Sequence, residues 1–124
     1  MIGHLGKAVI DCPDPRALAQ FYCLVLGMRI NEDIGGWVVI GVEPGLRQLA
    51  FQRVTEWVPP RWPDPAYPQQ LHLDIQVSDA DKAERELLAL GATRIRGERE
   101  TGFRVFADPV GHPFCIVFGR HDTS

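Results

Sequence analysis

His72 and Asp74 stand two positions apart in the run LHLDIQV, residues 71–77. In a strand that spacing puts both side chains on one face, because successive side chains alternate. An imidazole beside a carboxylate can act as a base, donate to a bound ligand or join a metal site. Cys115 could add a thiolate, as a metal donor or as a nucleophile with a base beside it. His72, Asp74 and Cys115 are therefore the catalytic candidates. The plainer alternative is a core histidine bonded to Asp74 and a cysteine that fills space. Lys7, in the run GKAVIDC, brings a positive charge and no metal donor while its ammonium keeps its proton.

The chain states the same pattern twice. An offset of 65 lays Lys7 on His72, Asp11 on Gln76 and Asp14 on Asp79; one residue of slippage later, Gly27 falls on Gly91. Each copy opens with a strand of period two. Leu71, Leu73, Ile75 and Val77 oppose His72, Asp74 and Gln76, while Ala8, Ile10 and Cys12 oppose Lys7, Val9 and Asp11. A helix follows each strand. Asp14 is a natural N-cap with Pro15 at the first helical position, and Ser78 or Asp79 caps the second helix. Leu18, Phe21, Tyr22 and Val25 form one apolar stripe, and Ala83, Leu87 and Leu90 the other. Gly27 and Gly91 suit the left-handed residue that ends a helix. Three strands are then predicted per copy, over 28–32, 37–42 and 48–54, and over 93–97, 103–107 and 114–118. Gly35-Gly36, Pro44-Gly45, Gly102 and the run DPVGHP break them apart.

The architecture expected is α+β: two βαβββ modules, about 5–54 and 71–119, in a single domain spanning 1–124. The stretch 55–70, which holds the prolines Pro59 to Pro68, is read as a stiff extended connector. Trp57 and Trp62 within it could lid a pocket.

With 45% hydrophobic and 23% charged residues over 124 positions, the composition is that of a globular domain with a core of its own. A net charge of −3 argues against nucleic acid as a partner. No apolar run approaches the roughly 18–20 residues that span a bilayer, and no signal peptide is read at the N-terminus. Three cysteines without CxxC spacing suggest reduced thiols and a cytoplasmic location.

Paired βαβββ modules with Asp-Pro-x-Gly before the last strand resemble the vicinal oxygen chelate superfamily, which includes glyoxalase I, extradiol dioxygenases and bleomycin-resistance proteins. The runs DCPDPRALAQFY, PPRWPDP, PQQLHLD and FADPVGHPFC are similar to its glyoxalase-like branch. The resemblance implies a curved mixed sheet around a central cleft, with the helices outside and the ligand within. It also implies a homodimer.

The resemblance further implies a divalent metal, Zn, Ni, Mn or Fe, held by the first and last strand of each module. His72 matches one such position and Cys115 a second, where glutamate is usual. Lys7 falls on the third and a residue near Ala50 on the fourth. An ammonium beside a divalent ion costs on the order of several kcal/mol at an effective dielectric near 20. No metal or other cofactor is therefore favoured, and any ion would rest on His72 and Cys115. An iron triad of His72, Asp74 and a distal His112 is a further alternative, against His112 as a turn residue. His4 and His121 are expected in solvent.

A metal-free small-molecule site would draw on Lys7, Gln48, Gln52, His72, Asp74, Gln76, Arg104 and Cys115, with apolar surface from Trp37, Trp57, Trp62 and Phe106. Arg104 would recognise a carboxylate or phosphate, or else serve as a rim charge. Two functions remain open: a small-molecule-binding protein, with antibiotic binding as one form of it, or a metal-dependent lyase, isomerase or dioxygenase.

Overall fold

The computed structural model describes residues 1–95 and 102–119, so His121 and the end of the strand expected at 93–97 lie outside the described residues. The chain divides into two compact units, Met1–Trp57 and Val58–Ser124. Each is a βαβββ module. The first runs β1 (Ala8–Cys12), α1 (Pro15–Leu26), β2 (Arg29–Ile34), β3 (Trp37–Gly41) and β4 (Leu49–Arg53). The second runs β5 (Leu73–Gln76), α2 (Ala80–Ala89), β6 (Thr93–Ile95), β7 (Phe103–Ala107) and β8 (Pro113–Val117).

Each unit holds one four-stranded mixed sheet, in the orders β1-β4-β3-β2 and β5-β8-β7-β6. The first and last strands of each module pair in parallel, and the other pairs are antiparallel. Parallel partners need a long crossover connection, which the helix and the following hairpin supply. Among the described residues no helix is long and apolar enough to cross a membrane.

The helices begin alike. Asp14 and Asp79 are the N-caps, with φ of −133° and −132°. Asp14 Oδ1 accepts from the Ala17 N–H at 3.2 Å, and Asp79 Oδ1 from the Lys82 N–H at 3.1 Å. Gly27 ends α1 at φ +66°, where a side chain would be strained. Between β2 and β3, Gly35 and Gly36 both take positive φ, +26° and +82°, as the two-residue hairpin loop requires.

α1 buries Pro15, Leu18, Ala19, Phe21 and Tyr22, and the Tyr22 ring stacks on Phe51 of β4 at 5.7 Å. In the second unit Leu87 is buried and Phe106 stacks on Phe114 at 5.7 Å. Each fully buried large apolar side chain contributes about 1.5–3 kcal/mol relative to exposure. Leu90 is exposed, because it caps α2 instead of extending its stripe.

Two local expectations change. β5 begins at Leu73, which leaves Leu71 exposed and His72 just outside the strand. Leu73 pairs with Phe114, so residue 72 falls opposite Pro113, whose nitrogen has no hydrogen to donate to the ladder. The connector is also not extended throughout. The Arg61 N–H donates to the Tyr67 carbonyl, turns run through Asp64, and the Arg61 guanidinium lies over the Tyr67 ring.

The run DPVGHP forms the turn that launches β8. Asp108 is 3% exposed, and its Oδ1 accepts from the Val110 and His112 N–H groups, both at 3.0 Å. Its own N–H donates to the His112 carbonyl.

Because the two caps lie in separate units, their removals should add. We expect Asp14→Ala and Asp79→Ala each to cost about 1 kcal/mol, and the double variant about the sum. Thermal unfolding monitored by circular dichroism checks this, with Tm falling about 3–6 °C per substitution.

Candidate functional site

In the second unit, β5 carries Asp74 and Gln76 on one face, and β8 carries Cys115. The β5–β8 register sets Asp74 directly beside Cys115. His72 returns to the same face: its Nε2 lies 3.3 Å from Asp74 Oδ1. Among the described residues, His72, Asp74 and Cys115 form a group of potential metal donors whose ligand atoms all lie within 4.8 Å of one another. His72 and Asp74 are exposed and Cys115 is buried. Cys115 is also fixed in place, since β8 is hydrogen-bonded on one side to β5 and on the other to β7.

Arg104 does not join them. It lies on the other face of β7, with its NH2 2.9 Å from Asp81 Oδ1 and its NH1 3.0 Å from Glu84 Oε1, both on α2. Its NH1 also reaches the Ala80 carbonyl at 3.3 Å. Arg104 therefore ties the helix to the sheet. Phe106 shares that face and is fully buried, so it belongs to the core instead of a ligand surface. His112 takes part through its backbone in the Asp108 turn and is not in the donor group. Trp62, 37% exposed, sits in the 61–67 loop.

The first unit repeats this frame with different chemistry. Adding 65 to both members of the β1–β4 pair Val9–Ala50 gives the β5–β8 pair Asp74–Cys115. By the same register Lys7, just before β1, corresponds to His72. The equivalent of Cys115 is thus Ala50 itself, which settles the one-residue ambiguity left by the sequence. Where the second unit has imidazole, carboxylate and thiol, the first has ammonium, isopropyl and methyl groups.

Lys7 instead acts on Glu32, which sequence reasoning passed over. The Glu32 Oε1 accepts from Arg47 NH1 at 2.6 Å and from the Trp37 indole N–H at 3.0 Å. Hydrogen bonds from Arg47 and then Trp37, aided by the charges of Arg47 and Lys7, hold the Glu32 carboxyl below its ordinary pKa. A bulge in β2 between Ile30 and Glu32 shifts the register there, which is why simple alternation does not point to this residue. Gln52 is the direct cross-strand partner of Trp37. Gln48 is occupied locally, its Oε1 accepting from the Val42 N–H at 2.8 Å.

The metal centre that the resemblance implies does not fit the first unit. A divalent ion needs lone pairs, and Lys7, Val9 and Ala50 offer none. The second unit fits in part: its three donors are of mixed softness, with a thiol where an oxygen ligand is usual.

The Glu32 shift has a sign that can be checked. A depressed folded pKa contributes stability above the unfolded value, about 4.3, and loses it as pH falls through the folded value. In urea unfolding across a pH series, Glu32→Gln should be less stable than the wild type above about pH 5. The difference should shrink steadily as the pH is lowered.

Comparison with known proteins agrees with this frame. Residues 7–117 match the family model described as a glyoxalase-like domain. No curated protein matches the chain in sequence. Among solved structures, a glyoxalase/bleomycin resistance protein/dioxygenase family enzyme from Burkholderia phytofirmans PsJN is similar, with a TM-score of 0.71 at 20% identity, covering 94% of this chain and 98% of that one. The fosfomycin resistance protein FosX from Mesorhizobium loti aligns with a TM-score of 0.70 at 16% identity, covering 99% and 98%. An oxidase, ChaP-H2, aligns at 0.64 and 19% identity, covering 98% of each chain. At these identities the structures speak to the fold alone. The family-model match covers nearly the whole chain, and the chain belongs to the glyoxalase-like family of the vicinal oxygen chelate superfamily.

Proposed function

We propose that this chain is a glyoxalase-like protein that binds a small anionic molecule without the two-module divalent centre of its superfamily. The observation that carries this reading is the shared register. It leaves Lys7, Val9 and Ala50 at the places where the second unit has His72, Asp74 and Cys115. The first module then contributes positive charge where a metal-dependent relative would contribute donors.

That charge is not fully neutralised within its own group. Lys7 and Arg47 both act on the single carboxylate of Glu32, so the triplet carries one net positive charge. An anionic ligand would meet the ammonium of Lys7, with the amide of Gln52 and the ring of Trp37 as neighbours on the same sheet. Arg104 and Phe106 have no part in it. The likeness to a fosfomycin resistance protein supports antibiotic binding as one form of this function, with fosfomycin as a natural probe.

The resemblance also supports a homodimer, and Leu24, Ile34 and Leu71 are large apolar residues left exposed on the single chain. Static light scattering should return the mass of two chains. A strictly monomeric mass at micromolar concentration would remove that part of the reading.

The central test is ligand binding by untagged, chelator-stripped protein. Fosfomycin and a panel of small carboxylates and phosphate esters are screened by thermal shift and then by titration. Binding should persist in chelator and weaken about tenfold in Lys7→Ala, the loss expected for one charged hydrogen bond. Anions that bind only after Mg or Mn is added, with Lys7→Ala indistinguishable from wild type, would overturn the proposal.

A further inference from the structure

We infer that the second module alone carries a thiophilic metal site, built from His72, Asp74 and Cys115, which prefers zinc and cadmium to magnesium and manganese. It differs from the superfamily's centre in its ligands, all from one module, and in its softness. The inference stands apart from the function proposed above, since anion binding near Lys7 can succeed or fail whatever occupies the second module.

The geometry comes from the backbone first. Asp74 and Cys115 are direct partners across the β5–β8 pair, so their side chains leave the sheet side by side. His72 lies two residues before Asp74 and already meets its carboxylate at 3.3 Å. Tetrahedral zinc with bonds near 2.0 Å to nitrogen or oxygen and 2.3 Å to sulfur needs donor separations of about 3.3–3.8 Å. The present outer limit is 4.8 Å, so closing on an ion requires movement of about 1 Å or slightly more. That movement falls on His72 and Asp74, whose side chains are 39% and 59% exposed and free to change rotamer. Cys115, held between two strands, is the fixed point.

The charges also suit a divalent ion. A thiolate and a carboxylate supply two negative charges, the imidazole a neutral third donor, and the fourth position stays open to water or a ligand. Binding displaces the Cys115 thiol proton to solvent as the metal–sulfur bond forms. A thiolate selects zinc or cadmium over magnesium and manganese, which favour oxygen. Without the ion, the exposed His72–Asp74 pair contributes little by itself.

Cadmium titration of the untagged, chelator-stripped protein tests this, because a cadmium–thiolate bond has its own ultraviolet charge-transfer band. One equivalent of Cd2+ should raise the band. Equimolar Zn2+ should compete it away, and the same concentration of Mg2+ or Mn2+ should not. Cys115→Ala should abolish the band, while His72→Ala and Asp74→Asn should each weaken cadmium binding roughly tenfold or more. The last two changes are at exposed positions, so they decide the matter even where Cys115→Ala perturbs folding. A band that survives in folded Cys115→Ala would place the metal on Cys12 or Cys23 and overturn the inference. Absence of a band, or unchanged affinity in both exposed variants, would overturn it equally.

Discussion

Parallel pairing between the first and last strand of each module is the constraint on which the rest of this protein depends. β1 with β4, and β5 with β8, join residues 41 positions apart in the chain and bring them into lateral contact. Because both pairs keep one register, each paired residue of β1 and β4 has a definite counterpart in the second unit. A slip of one residue between β5 and β8 would turn His72 and Asp74 away from Cys115, since side chains alternate between faces. The buried rings of Tyr22 and Phe51, and of Phe106 and Phe114, oppose such a slip by giving each sheet one face that must stay under its helix.

That division of faces separates structural from chemical residues. On the α2 side of the second sheet, Arg104 reaches Asp81 and Glu84, and Arg94 approaches Glu84 at 3.3 Å while its guanidinium covers the Phe106 ring. These charges hold a short helix that buries a single large leucine and otherwise has little apolar surface. On the other face, His72, Asp74 and Gln76 are left to solvent, with Cys115 buried beside them. Arg104 is paired with two carboxylates of α2, and His72 is exposed.

The duplicated frame with unequal contents is the chemical signature of this chain. At equivalent register positions one module holds an ammonium and two alkyl groups, and the other holds three potential donors. Lys7 is also not isolated, because its field acts on Glu32 together with Arg47. The first module's polar face is therefore an organised electrostatic group.

Much of this was legible before any coordinates. Period-two alternation, two aspartate caps 65 residues apart and paired glycines after each helix are local signals. They act over a turn or a strand, so the chain itself specified the βαβββ repeat, the place of both helices and the face that carries His72 and Asp74. The tertiary structure decided what depends on contacts distant in sequence. It set Ala50 opposite Val9 and Cys115 opposite Asp74, sent Arg104 to α2, ended β5 short of His72 at Pro113, and gathered Glu32, Trp37 and Arg47 beside a bulge. Those outcomes rest on which strands pair and in what register, and on side chains long enough to choose between partners. No window of neighbouring residues contains that information.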